Sequence, residues 1–462
     1  MKPLKDTVSE YWEREGLPTL IEFGKIPNVS PAFDKEWKKN GHMDRAVEFL
    51  ADWVKRKNIA DTVIIQQAHD RTPLLYIEIK GTRDETILIY GHFDKQPELS
   101  GWREGLGPWN PVREGDYLYG RGLADDGYAV FAAIGAIEIA KKSGAELPRI
   151  VLLIEGSEES ASGDLPVYLE LLKDEIGNPN VIITLDAEGG DVNHLWLTNS
   201  LRGIVNGVLT IKTLDTPMHS GAATGIVPSA FRIARILLNR IEDSETGLIS
   251  HPEINPPIPK EVRERFVAIA NAVGDTFLDM YNLPSYLKTV APGLTQSIER
   301  NLFHAGLEVT GFDGLPPVER AGNVTAATLK LKLSLRIPPT VDCQVVAQTL
   351  KELLETNPPY GARVTYEALE MDNGWLAKPL SPNTEKAVIE AAQVVYQDTP
   401  IKTGVGAGIP FIGMMARTYP NADQLVTGIL SPSSNAHGPN ENLHIPTVKN
   451  ITEWVAHFLI NR

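Results

Sequence analysis

The stretch that decides the fold is residues 149–164, which read RIVLLIEGSEESASGD. After Arg149, residues 150–154 are a continuous apolar run, which is typical of a central strand buried on both faces of a sheet. Glu155, Glu158 and Glu159 follow at the C-terminal end of that strand. A Glu-Glu pair is commonly a solvated loop. It can also supply one metal ligand and one free carboxylate that acts as a general base.

The segments around this strand alternate between strand and helix patterns. The helix predicted over 129–142 is apolar on most faces, which indicates that it covers a sheet. The other predictions before residue 203 are strands over 62–66, 74–79, 86–90 and 181–185, and helices over 44–57 and 165–172. Alternation of this kind favours an α/β fold with a mostly parallel central sheet.

The pattern changes near Gly203, and the α/β character returns from Glu385. Residues 330–336 (KLKLSLR) alternate strictly, as a half-exposed antiparallel strand does. We therefore expect an inserted smaller α+β domain over 204–372, and a catalytic domain formed by 1–203 and 373–462.

Composition limits the possible functions. The chain has 462 residues, enough for two or three domains, and a net charge of -15, which argues against binding nucleic acid. The N-terminus shows no export signal and no apolar run is long enough to span a membrane, so we expect a cytoplasmic protein. Because Cys343 is the single cysteine, any metal site must use His, Asp and Glu.

Two further motifs carry acidic residues beside a strand or a buried helix. In TILIYGHFDKQPE, His92 and Asp94 are two residues apart, so their side chains can point the same way and the carboxylate can orient the ring. An ordinary turn at a strand end is the alternative. In LYGRGLADDGYAV, Asp125 and Asp126 precede the buried helix; they suit a cation between them, or simple helix capping.

Two more candidates complete the set. Asp186 follows the apolar strand in VIITLDAEGG, and His437 lies in the loop SPSSNAHGPNENLHIP, where a histidine is often plain surface. Jointly, four strand ends of one parallel sheet are expected to place His, Asp or Glu at the edge where ligands of such sheets bind. Donors of this kind with one bridging carboxylate suit two divalent ions about 3.5–4 Å apart.

In this order, the motifs resemble those of the M20 family of metallopeptidases over nearly the whole chain. That family includes carboxypeptidase G2, carnosinase-like dipeptidases, acetylornithine deacetylase and succinyl-diaminopimelate desuccinylase. The resemblance implies two divalent ions, Zn²⁺ by expectation with Mn²⁺ or Co²⁺ also compatible, and Asp125 as the bridge between them. It implies Glu158 as the general base and Asp94 as the residue that orients His92. The implied metal ligands are His92, Asp125, Glu159, Asp186 and His437.

The inserted segment also carries family-like motifs. TPMHSGAATGIVPSA resembles a loop whose histidine, here His219, stabilises the oxyanion, often from the partner subunit of a homodimer. Asn323 and Arg336 correspond to residues that hold a substrate carboxylate. After the inserted segment, the loop GVGAGIPF, with Gly406 and Gly408, matches a substrate-contacting loop. Read without the resemblance, His219 is a capped loop residue and Arg336 a surface strand residue.

The sequence departs from the family pattern at two places. The usual DDKG is Asp125-Asp126-Gly127-Tyr128, without its lysine. The glycine-rich loop lacks the Arg-Glu pair and the serine of carnosinase-like members. The expected activity is cleavage of an amide bond in a small substrate with a free carboxylate, by a dipeptidase or carboxypeptidase. An N-acyl amino acid deacylase and a catalytically silent binding protein stay open, whereas a serine hydrolase is disfavoured by the absence of a GxSxG motif.

Overall fold

The computed structural model describes residues 3–279 and 281–462 and divides into two compact units. Unit 1 comprises the chain through Thr198, Ala377–Lys402 and Pro410–Arg462. Unit 2 comprises Asn199–Leu376 and Thr403–Ile409. The sequence predicts domain boundaries after residues 203 and 372. Residues 403–409, which we expected in the catalytic domain, group with unit 2 instead.

The strands of the described residues include the predicted runs at 62–66, 74–79, 86–90, 149–154, 181–185 and 330–336, together with others. In chain order they are β1 Thr62–Gln66, β2 Leu74–Ile79, β3 Arg83–His92, β4 Val112–Glu114, β5 Tyr117–Tyr119, β6 Pro148–Glu155, β7 Val181–Thr184, β8 Trp196–Leu201, β9 Gly203–Lys212, β10 Gly306–Asp313, β11 Thr328–Ile337, β12 Arg363–Asp372, β13 Trp375–Leu376, β14 Ile401–Val405, β15 Asp423–Val426 and β16 Asn442–His444.

The α-helices of the described residues include His42–Lys57, Ala129–Lys142 and Leu165–Leu171, which lie at the predicted segments 44–57, 129–142 and 165–172, together with others. In chain order they are α1 Leu4–Tyr11, α2 Leu17–Gly24, α3 Trp37–Asn40, α4 His42–Lys57, α5 Ala129–Lys142, α6 Leu165–Leu171, α7 Lys173–Ile176, α8 Ser220–Ala223, α9 Ala230–Leu238, α10 Lys260–Val273, α11 Thr276–Asp279, α12 Leu294–Leu302, α13 Cys343–Glu355, α14 Pro382–Val395, α15 Pro410–Thr418 and α16 Ile445–Asn461. None of the helices in the described residues is long and apolar enough to cross a membrane.

Unit 1 is built on a mixed sheet whose central strands are parallel. The strand order is β1-β2-β6-β3-β7-β15-β8, and the four strands β6, β3, β7 and β15 run parallel to one another. The predicted buried helix is α5, which is buried along nearly its whole length and packs against α16. A separate antiparallel sheet has the order β16-β5-β4. The α/β fold with a mostly parallel sheet is confirmed.

Unit 2 is an antiparallel sheet with helices packed against it. Its strand order is β10-β11-β9-β12. In β11 every second residue is buried, which is the alternation that the KLKLSLR segment predicts. The buried side chains of β9 and β11 form one apolar core with α9 and α13. The helix α13 begins at a capping residue, Asp342, whose carboxylate accepts a hydrogen bond from the backbone N–H of Gln344 at 2.7 Å.

Candidate metal centre

Three parallel strands of unit 1 bring acidic and imidazole side chains to one edge of the sheet. His92 is the last residue of β3 and pairs with Glu155 at the end of β6. Tyr90 pairs with Thr184 at the end of β7, and Asp186 follows two residues later. Parallel strands in this register end at the same level, so the residues that follow them lie together. The expected collection of polar side chains at this edge is therefore present.

Asp125 reaches the same place by another route, which corrects the expectation of four strand ends. It lies in the turn Leu123–Gly127, between β5 of the small antiparallel sheet and the helix α5. The apolar sequence before it belongs to that separate sheet and does not extend the central one. The carboxylate is nevertheless buried beside the strand ends, because α5 starts directly after the turn and packs on the central sheet.

The two oxygens of Asp125 face two different histidines. Oδ1 is 3.3 Å from Nε2 of His92, and Oδ2 is 2.9 Å from Nε2 of His437. Each histidine has one more carboxylate nearby. Asp186 Oδ2 is 3.7 Å from the His92 Nε2 atom, and Glu159 Oε2 is 3.5 Å from the His437 Nε2 atom. The cluster thus consists of two groups, each a histidine and a carboxylate, that share Asp125.

The donor atoms of this cluster fit divalent ions. Within the described chain, two triads have ligand atoms that all lie within 4.8 Å of one another: His92, Asp125 and Glu159, and His92, Glu158 and Asp186. Nε2 of His92 and Oε1 of Glu159 are buried and accept or donate no hydrogen bond among the described residues. A buried ring nitrogen or carboxylate oxygen without a hydrogen-bond partner costs free energy unless a cation binds it.

The electrostatics of the cluster also favour added positive charge. Burial and the Asp186 carboxylate raise the pKa of Glu158 well above its usual value, and burial and Asp125 do the same for Glu159. Burial and nearby carboxylates raise the pKa of Asp186 to about 6. Buried carboxylates that repel one another in this way become stable anions when cations lie between them.

Asp94 organises both sides of the cluster. Its Oδ1 atom is 3.4 Å from Nδ1 of His92, on the ring edge opposite Asp125. The same carboxylate accepts hydrogen bonds from the backbone N–H groups of Glu158 and Glu159, each at 3.1 Å. The hydrogen bond of His92 Nδ1 goes to the backbone carbonyl of Asp94, at 3.1 Å. Asp94 therefore holds the histidine mainly through its backbone and the Glu-Glu pair through its buried carboxylate.

The other candidate residues belong to unit 2. His219 is exposed and caps α8, where its Nδ1 atom accepts a hydrogen bond from the Gly221 N–H at 3.2 Å. Asn323 lies next to it, since its carbonyl accepts from the Ser220 N–H at 2.8 Å. Arg336 is half-buried on β11, and Gly406 lies on the glycine-rich segment. The capped-loop description of His219 and a possible catalytic role are thus compatible.

Comparison with known proteins identifies the family. The model described as "Peptidase family M20/M25/M40" matches residues 88–461. The chain belongs to this family. It is therefore a metal-dependent peptidase by family, and the resemblance seen in the motifs is confirmed.

Relatives of this M20 peptidase include several dipeptidases. It is 23% identical over 384 residues to a cysteinylglycine-S-conjugate dipeptidase of Corynebacterium striatum, covering 81% of this chain and 80% of that protein. It is 25% identical over 472 residues to a Cys-Gly metallodipeptidase of Candida albicans, covering 96% of this chain and 94% of that protein.

Solved structures of low sequence identity share the fold of this M20 peptidase. Human carnosine dipeptidase 1 has a TM-score of 0.72 at 20% identity, covering 99% of this chain and 98% of that one. A metallo-carboxypeptidase of the family from Sulfolobus solfataricus also has a TM-score of 0.72, at 22% identity, covering 97% of this chain and 99% of that one.

The structure of this M20 peptidase adds residues that the sequence alone did not single out. Arg121 and Glu441 form a buried ion pair, each side chain 1% exposed. Arg121 also donates to the carbonyl of Pro97 at 3.1 Å and to that of Gly438 at 2.9 Å. The other carboxylate oxygen of Glu441 accepts from the Gly122 N–H at 2.9 Å.

This ion pair ties together the three loops that carry His92, Asp125 and His437. Arg121 and Glu441 are 320 residues apart in the chain, so no local sequence pattern predicts the contact between them. The one available signal is position, since Arg121 and Glu441 each lie four residues from a candidate ligand. Burial and Asp125 raise the pKa of Glu441 to about 7, against the opposing effect of Arg121.

The backbone of His437 is also unusual, with φ at 62°. A non-glycine residue in the left-handed region costs on the order of 1 kcal/mol and is enriched at functional sites. Among the residues around it, Asn435 and Asn440 also have positive φ, at 49° and 62°. This conformation places the ring of His437 against Asp125, as the 2.9 Å distance between them shows.

Proposed function

We propose that this M20 peptidase is a two-metal dipeptidase, or a carboxypeptidase that acts on short peptides with a free carboxylate. The observation that supports it most is the division of the Asp125 carboxylate between His92 and His437, at 3.3 and 2.9 Å. A single ion needs no such bridge, whereas two ions about 3.5–4 Å apart do. The dipeptidases among the relatives support the substrate class.

The proposed ligands form two sets that share Asp125. One set is His92, Asp125 and Asp186, and the other is Asp125, Glu159 and His437. Oxygen and imidazole donors suit Zn²⁺, and they also accept Mn²⁺ or Co²⁺. When bound, such ions act as Lewis acids that polarise a carbonyl group and lower the pKa of a water molecule towards neutrality.

Glu158 is the proposed general base. Its backbone N–H is held by Asp94, and its carboxylate lies in the group formed with His92 and Asp186. Burial and Asp186 raise its pKa, which makes it a better proton acceptor than a solvated glutamate. Glu158 would remove a proton from the attacking water and pass it to the leaving amine.

The residues of unit 2 would bind the substrate. Arg336 and Asn323 would hold the free carboxylate, and His219 would donate to the oxyanion of the tetrahedral intermediate. His219 would act in a homodimer formed through unit 2, from the same or the partner subunit. Gly406 and Gly408 would let the substrate approach the backbone of their loop.

The test compares Glu158→Gln with Glu170→Gln, a matched change on the exposed surface of α6. Purified protein is loaded with Zn²⁺, its metal content is measured by mass spectrometry, and hydrolysis of a panel of dipeptides and N-acetyl amino acids is followed. We expect two ions per chain in all three proteins, hydrolysis of dipeptides by wild type and Glu170→Gln, and a loss of about 10²–10⁴-fold in Glu158→Gln.

Each part of the proposal has its own contrary result. Hydrolysis that persists in EDTA would refute the metal mechanism. Turnover of N-acetyl amino acids in preference to dipeptides would make the protein a deacylase with the same metal centre. Two bound ions without turnover of any compound would indicate a catalytically silent member of the family.

A further inference from the structure

Arg202 is a cation of unit 2 whose hydrogen bonds go to neutral groups. It lies between β8 and β9 and is half-buried. Its Nε atom donates to the carbonyl of Gly406 at 2.9 Å, and its Nη1 atom donates to the carbonyl of His304 at 3.1 Å and, more weakly, to that of Arg300 at 3.4 Å. Within the described part of the chain, no carboxylate forms an ion pair with it.

A second guanidinium, that of Arg336, acts on the first. Arg336 lies on β11, where it pairs with Ile204 of β9, two residues after Arg202. Burial and the charge of Arg336 lower the pKa of Arg202 to about 10. Tyr281 acts in the opposite direction, but a phenol is neutral at pH 7. Arg336 has no ion-pair partner in residues 3–279 and 281–462 either.

Two half-buried cations that repel each other are unfavourable unless an anion joins them. A planar guanidinium binds a carboxylate through two parallel N–H groups, so a pair of them matches a carboxylate better than it matches a single halide. The charge pattern of unit 2 therefore indicates a carboxylate ligand at this pair.

The glycine-rich loop leaves one edge of Arg202 uncovered. A Cβ atom added at Gly406 would lie 3.2 Å from Nη2 of Arg202 and 2.9 Å from the carbonyl oxygen of Asn301. Nη2 has no acceptor among the described residues. The backbone N–H of Arg202 also donates to the carbonyl of Val405 at 3.2 Å. The glycine-rich loop is therefore held against Arg202 at two points, Val405 and Gly406.

We propose that Arg202 is a specificity-determining residue that forms, together with Arg336, a two-arginine pocket for the terminal carboxylate of the substrate. Nε and Nη1 hold the guanidinium on the backbone, and Nη2 is left for the ligand. A side chain at Gly406 would meet the carbonyl of Asn301 and would also cover that edge. The inference rests on the proposed function and deepens it, because it names what distinguishes a peptide acid from its amide.

The competing description of Arg202 is a brace that only fixes the loop and the end of α12. The two descriptions differ in what they predict for a substrate without a terminal charge. A brace affects all substrates equally. A carboxylate-binding arginine affects only those that carry the carboxylate, and it acts mainly on KM because the carboxylate keeps its charge and its contacts through the reaction.

The experiment uses Zn²⁺-loaded full-length protein and two peptides with the same scissile bond, Ala-Gly and Ala-Gly amide. Wild type is compared with Arg202→Met, Arg202→Lys and the control Lys332→Met, which removes an exposed positive charge from the same sheet. We expect Arg202→Met to lose about 10- to 100-fold in kcat/KM for the acid, mostly through KM, while the amide is unaffected. Arg202→Lys should lie between, and Lys332→Met should match wild type.

An equal loss of kcat/KM on both peptides in Arg202→Met would show that Arg202 only supports the loop, and would overturn the inference. An unchanged preference of Arg202→Met for the acid over the amide would overturn it as well. If wild type hydrolyses neither these two peptides nor any dipeptide of the panel, the proposed function fails, and calorimetric titration of the same two peptides into the same proteins tests Arg202 on its own. Tighter binding of the acid by wild type, lost in Arg202→Met, would support the inference. Absence of that preference in wild type, or its survival in the variant, would refute it.

Discussion

The buried Arg121–Glu441 pair allows stability and metal binding to be separated by mutation. Both side chains are 1% exposed, so removing one leaves the other charge without a partner in the protein interior. Such a loss costs about 3–5 kcal/mol. We therefore expect Arg121→Met to lower the free energy of unfolding by that amount at pH 8, where Glu441 is ionised. Replacing both charges by apolar residues of similar volume is often nearly neutral, so Arg121→Met with Glu441→Leu should recover most of it.

Metal affinity should not recover in the double variant. The hydrogen bonds of Arg121 to the carbonyls of Pro97 and Gly438, and that of Glu441 to the Gly122 N–H, hold the three ligand loops, and apolar side chains make none of them. Loss of residues that support metal ligands typically weakens affinity by about 10–100-fold. Urea unfolding in EDTA gives the stability, and competition for Zn²⁺ with a chromogenic chelator gives the affinity. A double variant with wild-type stability and wild-type Zn²⁺ affinity would refute this argument.

Three further predictions concern single residues of unit 1. His437→Ala should lower the bound Zn²⁺ from two ions to one per chain by mass spectrometry, because His437 and Glu159 meet at 3.5 Å on one side only of Asp125; loss of both ions would contradict the two-set arrangement. Asp94→Ala should weaken Zn²⁺ affinity about 10–100-fold, whereas Asp52→Ala on exposed surface should not change it. Burial raises the pKa of Glu155 to about 7, so its carboxyl binds a proton more tightly in the fold, and the stability it contributes below pH 4.5 is lost as pH rises through 7. The unfolding free energy of wild type relative to Glu155→Gln, measured in EDTA, should thus fall by at most about 3 kcal/mol between pH 5 and 8, and a rise would refute the sign.

Local sequence patterns were sufficient for the elements that deliver most of the metal centre. The apolar run before Glu155 and the strand before His92 are central strands because only apolar side chains fit a sheet covered on both faces. Because these strands are parallel, the polar residues at and after their ends lie together at the C-terminal edge of the sheet. Asp125 shows where this reasoning stops, since an apolar residue pattern does not tell which of two sheets a strand joins.

The supporting residues could not be predicted because they depend on contacts between distant parts of the chain. Arg121 and Glu441 are 320 residues apart, and each is unremarkable in its own segment. Arg202 is likewise an ordinary residue at a strand junction until the fold brings Gly406 to its guanidinium, 204 residues later. The Arg121–Glu441 pair and Arg202 are both recognised by the burial of their charges, and burial depends on the tertiary structure and not on the local sequence.

The missing lysine of the DDKG motif is explained by packing in unit 1. A Cβ atom at Gly127 would lie 2.3 Å from the carbonyl oxygen of Gly122 and 2.7 Å from the ring of Phe23. The face of the Phe23 ring is already covered by the amine of Lys95, whose Nζ atom lies 4.4 Å from the ring centroid and donates to the carbonyl of Ile26 at 2.8 Å. The stem of Lys95 in turn fills the space beside Gly122, where a Cβ atom would meet its Cγ at 2.3 Å.

These positions therefore depend on one another. A lysine at position 127 would require the backbone at Gly122 to move, and that backbone is held by Glu441 through a hydrogen bond of 2.9 Å. The strand-end loop with His92 supplies the buried side chain of Lys95, and the turn with Asp125 makes room for it at Gly122. The glycine at position 127 thus fits the close packing around Phe23, and the contacts of Asp125 with both histidines are present beside it.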